Sequence, residues 1–184
     1  MKQASFKRFT IFFDQYLFIS ITLLSVMGLF FLYSASQGNI NIVMKQAIFV
    51  GFGIFLMFIL SQPDPDIYKI LSLIFLVTSL LLVLITILFA KEINGAKRWL
   101  DLGVFTLQPS ELVKIALPIY LASYLFEKPI PIDIRNTFKS LLIIGICFFL
   151  IARQPDLGTS LVVSMAGIYI LFFAGLSWKF IGSS

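Results

Sequence analysis

From Gln15 to Met44 the chain carries no acidic or basic side chain, and a second such gap runs from Ile70 to Ala90. Each gap holds an apolar run long enough to cross a hydrocarbon layer, which takes about 20 helical residues. Apolar residues fill 59% of the 184 positions and charged ones only 12%, against roughly 25% charge in an ordinary soluble domain. The mean hydropathy is +1.00. The 14 basic and 9 acidic residues sit in short clusters between the neutral stretches, too few to cover the surface of a water-soluble globule of this size. The solvent for most of the chain is therefore lipid, and the fold class expected is an all-α polytopic membrane protein. Cys147, the single cysteine, excludes an internal disulfide or a Cys-rich metal site. The absence of histidine excludes zinc sites and imidazole bases. Proton chemistry falls to the carboxylates.

Six spans are expected, over 16–33, 46–60, 70–90, 112–126, 141–152 and 157–178, divided by Pro, Gly, Asn or charge. The second, fourth and fifth are short, so their polar ends belong at the interface or in a protein-lined cavity. Lys2, Lys7 and Arg8 before an apolar run, with Ser34-Ala35-Ser36 after it, imitate a signal peptide. That run exceeds the roughly 7 to 15 apolar residues of such a signal, and further hydrophobic segments follow, so it is read as a span. With the N-terminus inside, the inner segments hold eight cations, Lys2, Lys7, Arg8, Lys69, Lys128, Arg135, Lys139 and Lys179. The outer segments hold five, Lys45, Lys91, Lys97, Arg98 and Arg153, and Lys114 lies in a span. The inner excess favours a cytoplasmic N-terminus and, after an even number of crossings, a cytoplasmic C-terminus. Three of the five outer cations nevertheless cluster in two short motifs, Lys97-Arg98 and Arg153, which suggests another use.

No linker divides the chain, and residues 1–184 are read as one transmembrane domain. Gln-Pro-Asp occurs at 62–64 and 154–156, on opposite faces in this topology, and shared helix-breaking chemistry accounts for it. The outer loop, 91–109, alternates charge, glycine and apolar residues as an idle connector would not. It is expected to fold back onto the membrane surface, with Trp99 there and Trp178 at the inner end of the last span as interfacial anchors. Ser160, Ser164 and Gly167 share a helical face that permits close approach of another helix, a packing role.

Glu111 and Lys114 stand three apart after Gln108-Pro109-Ser110, so they can pair on one face of the fourth helix. A structural pair and a functional one both fit, since pairing is how membranes tolerate ionisable groups. Ser110 could cap that helix and turn its positive dipole end outward. Lys97 and Arg98 beside Trp99 suit a lipid phosphate or pyrophosphate, although headgroup snorkelling would look the same. Arg153 and Asp156 bracket the turn between the fifth and sixth helices, with Pro155 ending one and Asp156 able to cap the next. One topology puts all these motifs on the outer side, which makes a common extracytoplasmic cavity the economical reading. Asp64, Asp66, Glu127 and Asp133 fall on the other side as solvated loop charges.

The segments Gly95-Ala96-Lys97-Arg98-Trp99-Leu100-Asp101-Leu102-Gly103, Gln108-Pro109-Ser110-Glu111-Leu112-Val113-Lys114-Ile115-Ala116, Gln154-Pro155-Asp156-Leu157-Gly158-Thr159-Ser160 and Gly175-Leu176-Ser177-Trp178 resemble, in order and spacing, the SEDS proteins (shape, elongation, division and sporulation), and the rod-shape rather than the division branch. The resemblance implies a polytopic glycosyltransferase that polymerises lipid II outside the bacterial cytoplasmic membrane. It also implies work with a class B penicillin-binding protein and the rod-shape (elongasome) proteins, and no nucleic-acid partner. It implies functional importance for Glu111, Lys114 and Asp156, and a basic contact at Lys45. The match is to the N-terminal half of the family, whose proposed catalytic acid lies beyond the sixth helix. A truncated or split product, or a fragment of a longer gene, is therefore expected, with activity of this chain alone in question.

Glycan transfer from one polyprenyl pyrophosphate to a sugar hydroxyl of another needs a base and cations for the leaving group. Lys97, Arg98 and Arg153 could supply the cations, with or without a divalent metal such as Mg2+, and no cofactor is otherwise required. Asp156 and Glu111 would orient substrate or tune charge, the main base lying elsewhere. Two other classes remain open. One is a transporter of the lipid-linked precursor; the other is a non-catalytic scaffold that binds a partner's helix through a face such as Ser160, Ser164 and Gly167.

Overall fold

A computed structural model describes residues 14–90, 92, 95–101, 103 and 106–175. Lys2, Lys7, Arg8, Lys91, Trp178 and Lys179, on which part of the sidedness and anchoring expectations rests, lie outside the described residues, as do Leu102, Leu176 and Ser177. The described residues form six helices, α1 (Gln15–Ala35), α2 (Ile40–Leu60), α3 (Pro65–Phe89), α4 (Pro109–Phe126), α5 (Ile134–Ala152) and α6 (Leu157–Phe173). Two short strands, β1 (Leu100–Asp101) and β2 (Thr106–Leu107), pair antiparallel between α3 and α4. By length and composition α1, α2, α3 and α5 are able to cross a membrane, while the described part of α6 is shorter. The chain is an all-α, multi-pass membrane protein.

Several helices start earlier than their apolar runs. At α2 and α5 a capping side chain rather than the first charge sets the start. Asn39 accepts from Asn41 N–H, so α2 opens at Ile40 and carries Lys45 within it. Asp133 accepts from Asn136 N–H, so α5 opens at Ile134 and includes Arg135 and Lys139. The second and fifth helices, short as apolar runs, thus reach 21 and 19 residues. The apolar run marks what lipid tolerates, whereas the helix continues into the interface.

Contacts divide the chain into two compact units, one ending at Asp64 and one starting at Pro65. In the first, α1 and α2 form a helical hairpin whose turn passes through Gly38 at φ +81°. Neither helix has a buried residue, as befits surfaces apolar all round.

In the second unit α4 is the central element and packs on α3, α6 and α5. Its Val113, Ala116, Leu117, Leu121 and Leu125 are buried, at the three- and four-residue spacing of one helical face. The facing seams are small and partly hydroxylic. They comprise Ser72, Leu76, Ser79, Val83 and Thr86 on α3, and Ser160, Val163, Gly167 and Leu171 on α6. Ser79 and Thr86 return their hydroxyls to the carbonyls of Phe75 and Leu82, both at 2.7 Å. This leaves a narrow apolar seam without stranded donors. A Cβ on Gly167 would lie 2.7 Å from Ile144 Cγ1 of α5 and 3.3 Å from Leu121 Cδ1 of α4. The Ser160–Gly167 face is thus occupied inside the unit and is not free for a partner's helix. Helix connectivity puts the end of α3, both strands, and the starts of α4 and α6 at one end of this unit.

Candidate functional site

Asp156 precedes α6 and is 9% exposed. Its Oδ1 accepts from Thr159 N–H at 3.2 Å, closing the first turn as a plain N-cap does. Its Oδ2 accepts from Gln108 Nε2 at 3.0 Å. Gln108 is the residue before α4, and its side chain caps nothing in its own helix. One carboxylate therefore ties together the N-termini of two helices, whose positive dipole ends favour its charge.

Pro109 occupies the first position of α4, where its missing N–H costs nothing. This corrects the expectation for Ser110, which falls inside the helix, is fully buried and makes no capping bond.

A second connection runs through Arg98. Its Nε donates to the Gln154 carbonyl at 2.9 Å, and one Nη donates to the Pro155 carbonyl. In return Gln154, 1% exposed, donates its Nε2 to the Lys97 carbonyl at 3.2 Å. Residues 97–98 and 154–155 are thereby clasped in both directions. A snorkelling arginine would extend into water; Arg98 is half-buried and joins two loops. Two of its five N–H donors are committed this way.

Beside the clasp lies a cavity of about 210 Å3 lined by Ile87 from the end of α3, by Glu92 and Lys97, and by Arg153. Arg153 follows the last residue of α5, and its guanidinium carbon stands 4.9 Å from the centre of the Phe149 ring. Glu111 and Lys114 form the anticipated pair, Oε1 to Nζ 2.7 Å, with side chains 52% and 32% exposed. A pair so open to solvent contributes on the order of 0–1 kcal/mol to stability. Lys45 lies exposed on α2, in the other unit.

Of the acids expected to be loop charges, Asp133 and Glu127 have local partners. Asp133 caps α5, and Glu127 stands 3.7 Å from Lys69 Nζ, which also lies over the Phe126 ring. Asp66 sits in the first turn of α3.

Gln108 and Gln154 are the two site residues that sequence reasoning missed. Their shared signal is a glutamine before a proline at a helix start. The third copy shows why that signal misleads. Gln62 bonds locally, to the Phe58 carbonyl and Ser61 Oγ. Among the described residues no three Asp, Glu, His or Cys side chains gather. No step below runs through a metal ion.

The FTSW_RODA_SPOVE family, described as "Cell cycle protein", matches residues 14–184. The chain belongs to this family, the SEDS proteins. It is 32% identical over 169 residues to peptidoglycan glycosyltransferase MrdB of Escherichia coli K12, covering 92% of this chain and 46% of that protein. It is 32% identical over 174 residues to peptidoglycan glycosyltransferase RodA of Treponema pallidum, covering 92% and 40%. The chain thus spans about half the length of the curated relatives it matches. The crystal structure of the Thermus thermophilus rod shape determining protein RodA superposes with a TM-score of 0.83 at 29% identity, covering 93% of this chain and 56% of that one. A chain from a structure titled "Structural coordination of polymerization and crosslinking by a peptidoglycan synthase complex" gives 0.84 at 29% identity, covering 94% and 51%.

Proposed function

We propose that this chain forms part of a peptidoglycan glycosyltransferase of the rod-shape type, which polymerises lipid II at the outer face of the bacterial cytoplasmic membrane. The carrying observation is the pair of contacts, Arg98 with Gln154 and Gln108 with Asp156, which fixes the 153–156 turn against the cavity that holds Lys97 and Arg153. Transfer between polyprenyl pyrophosphates needs a proton acceptor for the attacking sugar hydroxyl and positive charge for the departing diphosphate. In this reading Lys97 and Arg153 face the diphosphate, and Arg98 holds the turn that carries Arg153. Asp156 and Glu111 orient the sugars and tune local charge, and Lys114 keeps Glu111 in place. The proton acceptor lies outside this set. The N-terminus is cytoplasmic. A class B penicillin-binding protein and the rod-shape proteins are the partners, which the likeness to a chain of a peptidoglycan synthase complex supports. The polar groups gathered at one end of the helical unit favour surface polymerisation over transport, which needs a path open to both faces.

The test is a chimera in which residues 14–184 replace the matching part of E. coli MrdB, in cells depleted of their own copy. The chimera should restore rod shape and lipid II polymerisation in membranes, and Asp156→Ala or Glu111→Ala should abolish both while leaving insertion intact. Wild-type polymer from both variants would overturn the site assignment.

A further inference from the structure

Arg153 belongs to two surfaces at once. It lines the polar cavity with Lys97 and Glu92, and it lies over the ring of Phe149. Phe149 in turn closes one end of an apolar groove of about 520 Å3 that runs along the outside of α5 to Phe138. Gly145 is the floor of this groove, and a Cβ added there would meet nothing within 4 Å. Phe138, Leu142, Gly145, Phe149 and Arg153 follow one another at three- and four-residue spacing, so they form one stripe. At 1.5 Å per residue, the stripe from Phe138 to Phe149 is about 16 Å long.

An arginine at a helix end in a membrane is ordinary. One that joins a helix-long apolar groove to a cavity holding a second cation is a shape with a head and a tail. We propose that this surface binds a polyisoprenyl diphosphate, with the diphosphate between Lys97 and Arg153 and the first isoprene units lying over Gly145 in the α5 groove.

The ligand class rests on the function proposed above; the new element is the seat of the tail on α5. The lining residues all belong to α5, and the two cations beyond its end, Lys97 and Arg153, match the two phosphates of a diphosphate, whereas a glycerophospholipid such as phosphatidylglycerol offers one. Moving a hydrocarbon tail from lipid into an apolar groove yields no hydrophobic gain, because the surroundings are as apolar as the site. The groove contributes packing contacts along one aligned tail, which a phenylalanine at its floor would remove, and the larger share of affinity comes from charge-assisted contacts at the head. Glu92, on the same cavity wall, opposes an anion there.

The experiment uses the full chain in phosphatidylcholine nanodiscs, with undecaprenyl diphosphate as probe and phosphatidylglycerol as competitor, read by native mass spectrometry. Arg153→Gln and Gly145→Phe should each weaken retention about tenfold, Glu92→Gln should strengthen it, and phosphatidylglycerol should compete poorly. Gly145→Ala, which leaves the floor nearly level, should bind as wild type and serves as the folding control. Unchanged retention in Gly145→Phe would overturn the groove assignment. Equal competition by phosphatidylglycerol, or no retention by the wild-type chain, would also overturn it. No polymerisation step is read, so a chimera that fails to polymerise while the chain still binds the probe would count against the function alone.

Discussion

Asp156 serves two partners with its two oxygens, and the two duties respond differently to substitution. Asparagine is as good an N-cap as aspartate, but it carries no charge for the dipole ends and the neighbouring cations. With its oxygen kept on Thr159 N–H, its NH2 can donate to a turned-over Gln108 amide, so Asp156→Asn should cost little stability. Asp156→Ala loses the cap, about 1 kcal/mol, and leaves the half-buried Gln108 amide without its acceptor, about 1–3 kcal/mol more. Thermal unfolding in detergent should rank wild type and Asn together above Ala, and equal melting of the two variants would remove the cap from the account. Arg98 sends two donors to two successive carbonyls, a fork that a lysine ammonium cannot reproduce. Arg98→Lys should consequently destabilise nearly as much as Arg98→Ala, about 2 kcal/mol. Proteolysis that finds the 153–156 turn equally protected in Arg98→Lys would contradict this. Arg98 was legible in the sequence as one of the cations clustered on the side that the positive-inside rule disfavours, and Asp156 as a cap or functional acid after Pro155. Gln108 and Gln154 were not, because a neutral amide before proline reads as helix-end chemistry, and only the meeting of α4 with α6 gives those amides distant partners.

At the scale of elements, the helices themselves were legible because each apolar run is bounded by charge, proline, glycine or asparagine. Their packing was less so. Ser160, Ser164 and Gly167 read correctly as a close-approach face, but a small-residue stripe does not name its partner. In the folded unit the partners are Ile144 and Leu121 of the same chain. That contact is tight enough to test by overfilling. A methyl at Gly167 would fall 2.7 Å from Ile144 Cγ1 and 2.8 Å from its Cδ1, so Gly167→Ala should destabilise by about 1–3 kcal/mol. Ile144→Ala removes both clashing atoms. The double variant should therefore recover part of the loss, with a coupling of about 0.5–3 kcal/mol. Strictly additive losses in chemical unfolding would place the strain elsewhere.

For the whole molecule the open quantity is sidedness, and the second unit alone does not settle it by charge. Its two ends carry equal numbers of described cations. Lys97, Arg98, Lys114 and Arg153 lie at the end that holds the clasp, and Lys69, Lys128, Arg135 and Lys139 lie at the other. The positive-inside rule counts cations as though each were free to follow the topology. Arg98 is committed to the 154–155 carbonyls and Arg153 to the ring of Phe149, and cations held by such contacts stay where the fold needs them whichever way the membrane potential points. Lys69 and Lys128 are held in the same way, over the rings of Phe126 and Tyr124, so the count stays level and the proposed cytoplasmic placement of their end calls for a direct probe. Lys97 and Lys128 stand beyond opposite ends of α4, whose 18 residues span about 27 Å, so one pair of probes reads the orientation. With the buried Cys147 replaced by serine, a single cysteine from Lys97→Cys should react with an impermeant maleimide added outside intact spheroplasts. A single cysteine from Lys128→Cys should react only after lysis. The reverse pattern would turn the unit over and put the Asp156 carboxylate on the cytosolic side, where no extracytoplasmic glycan strand could be built.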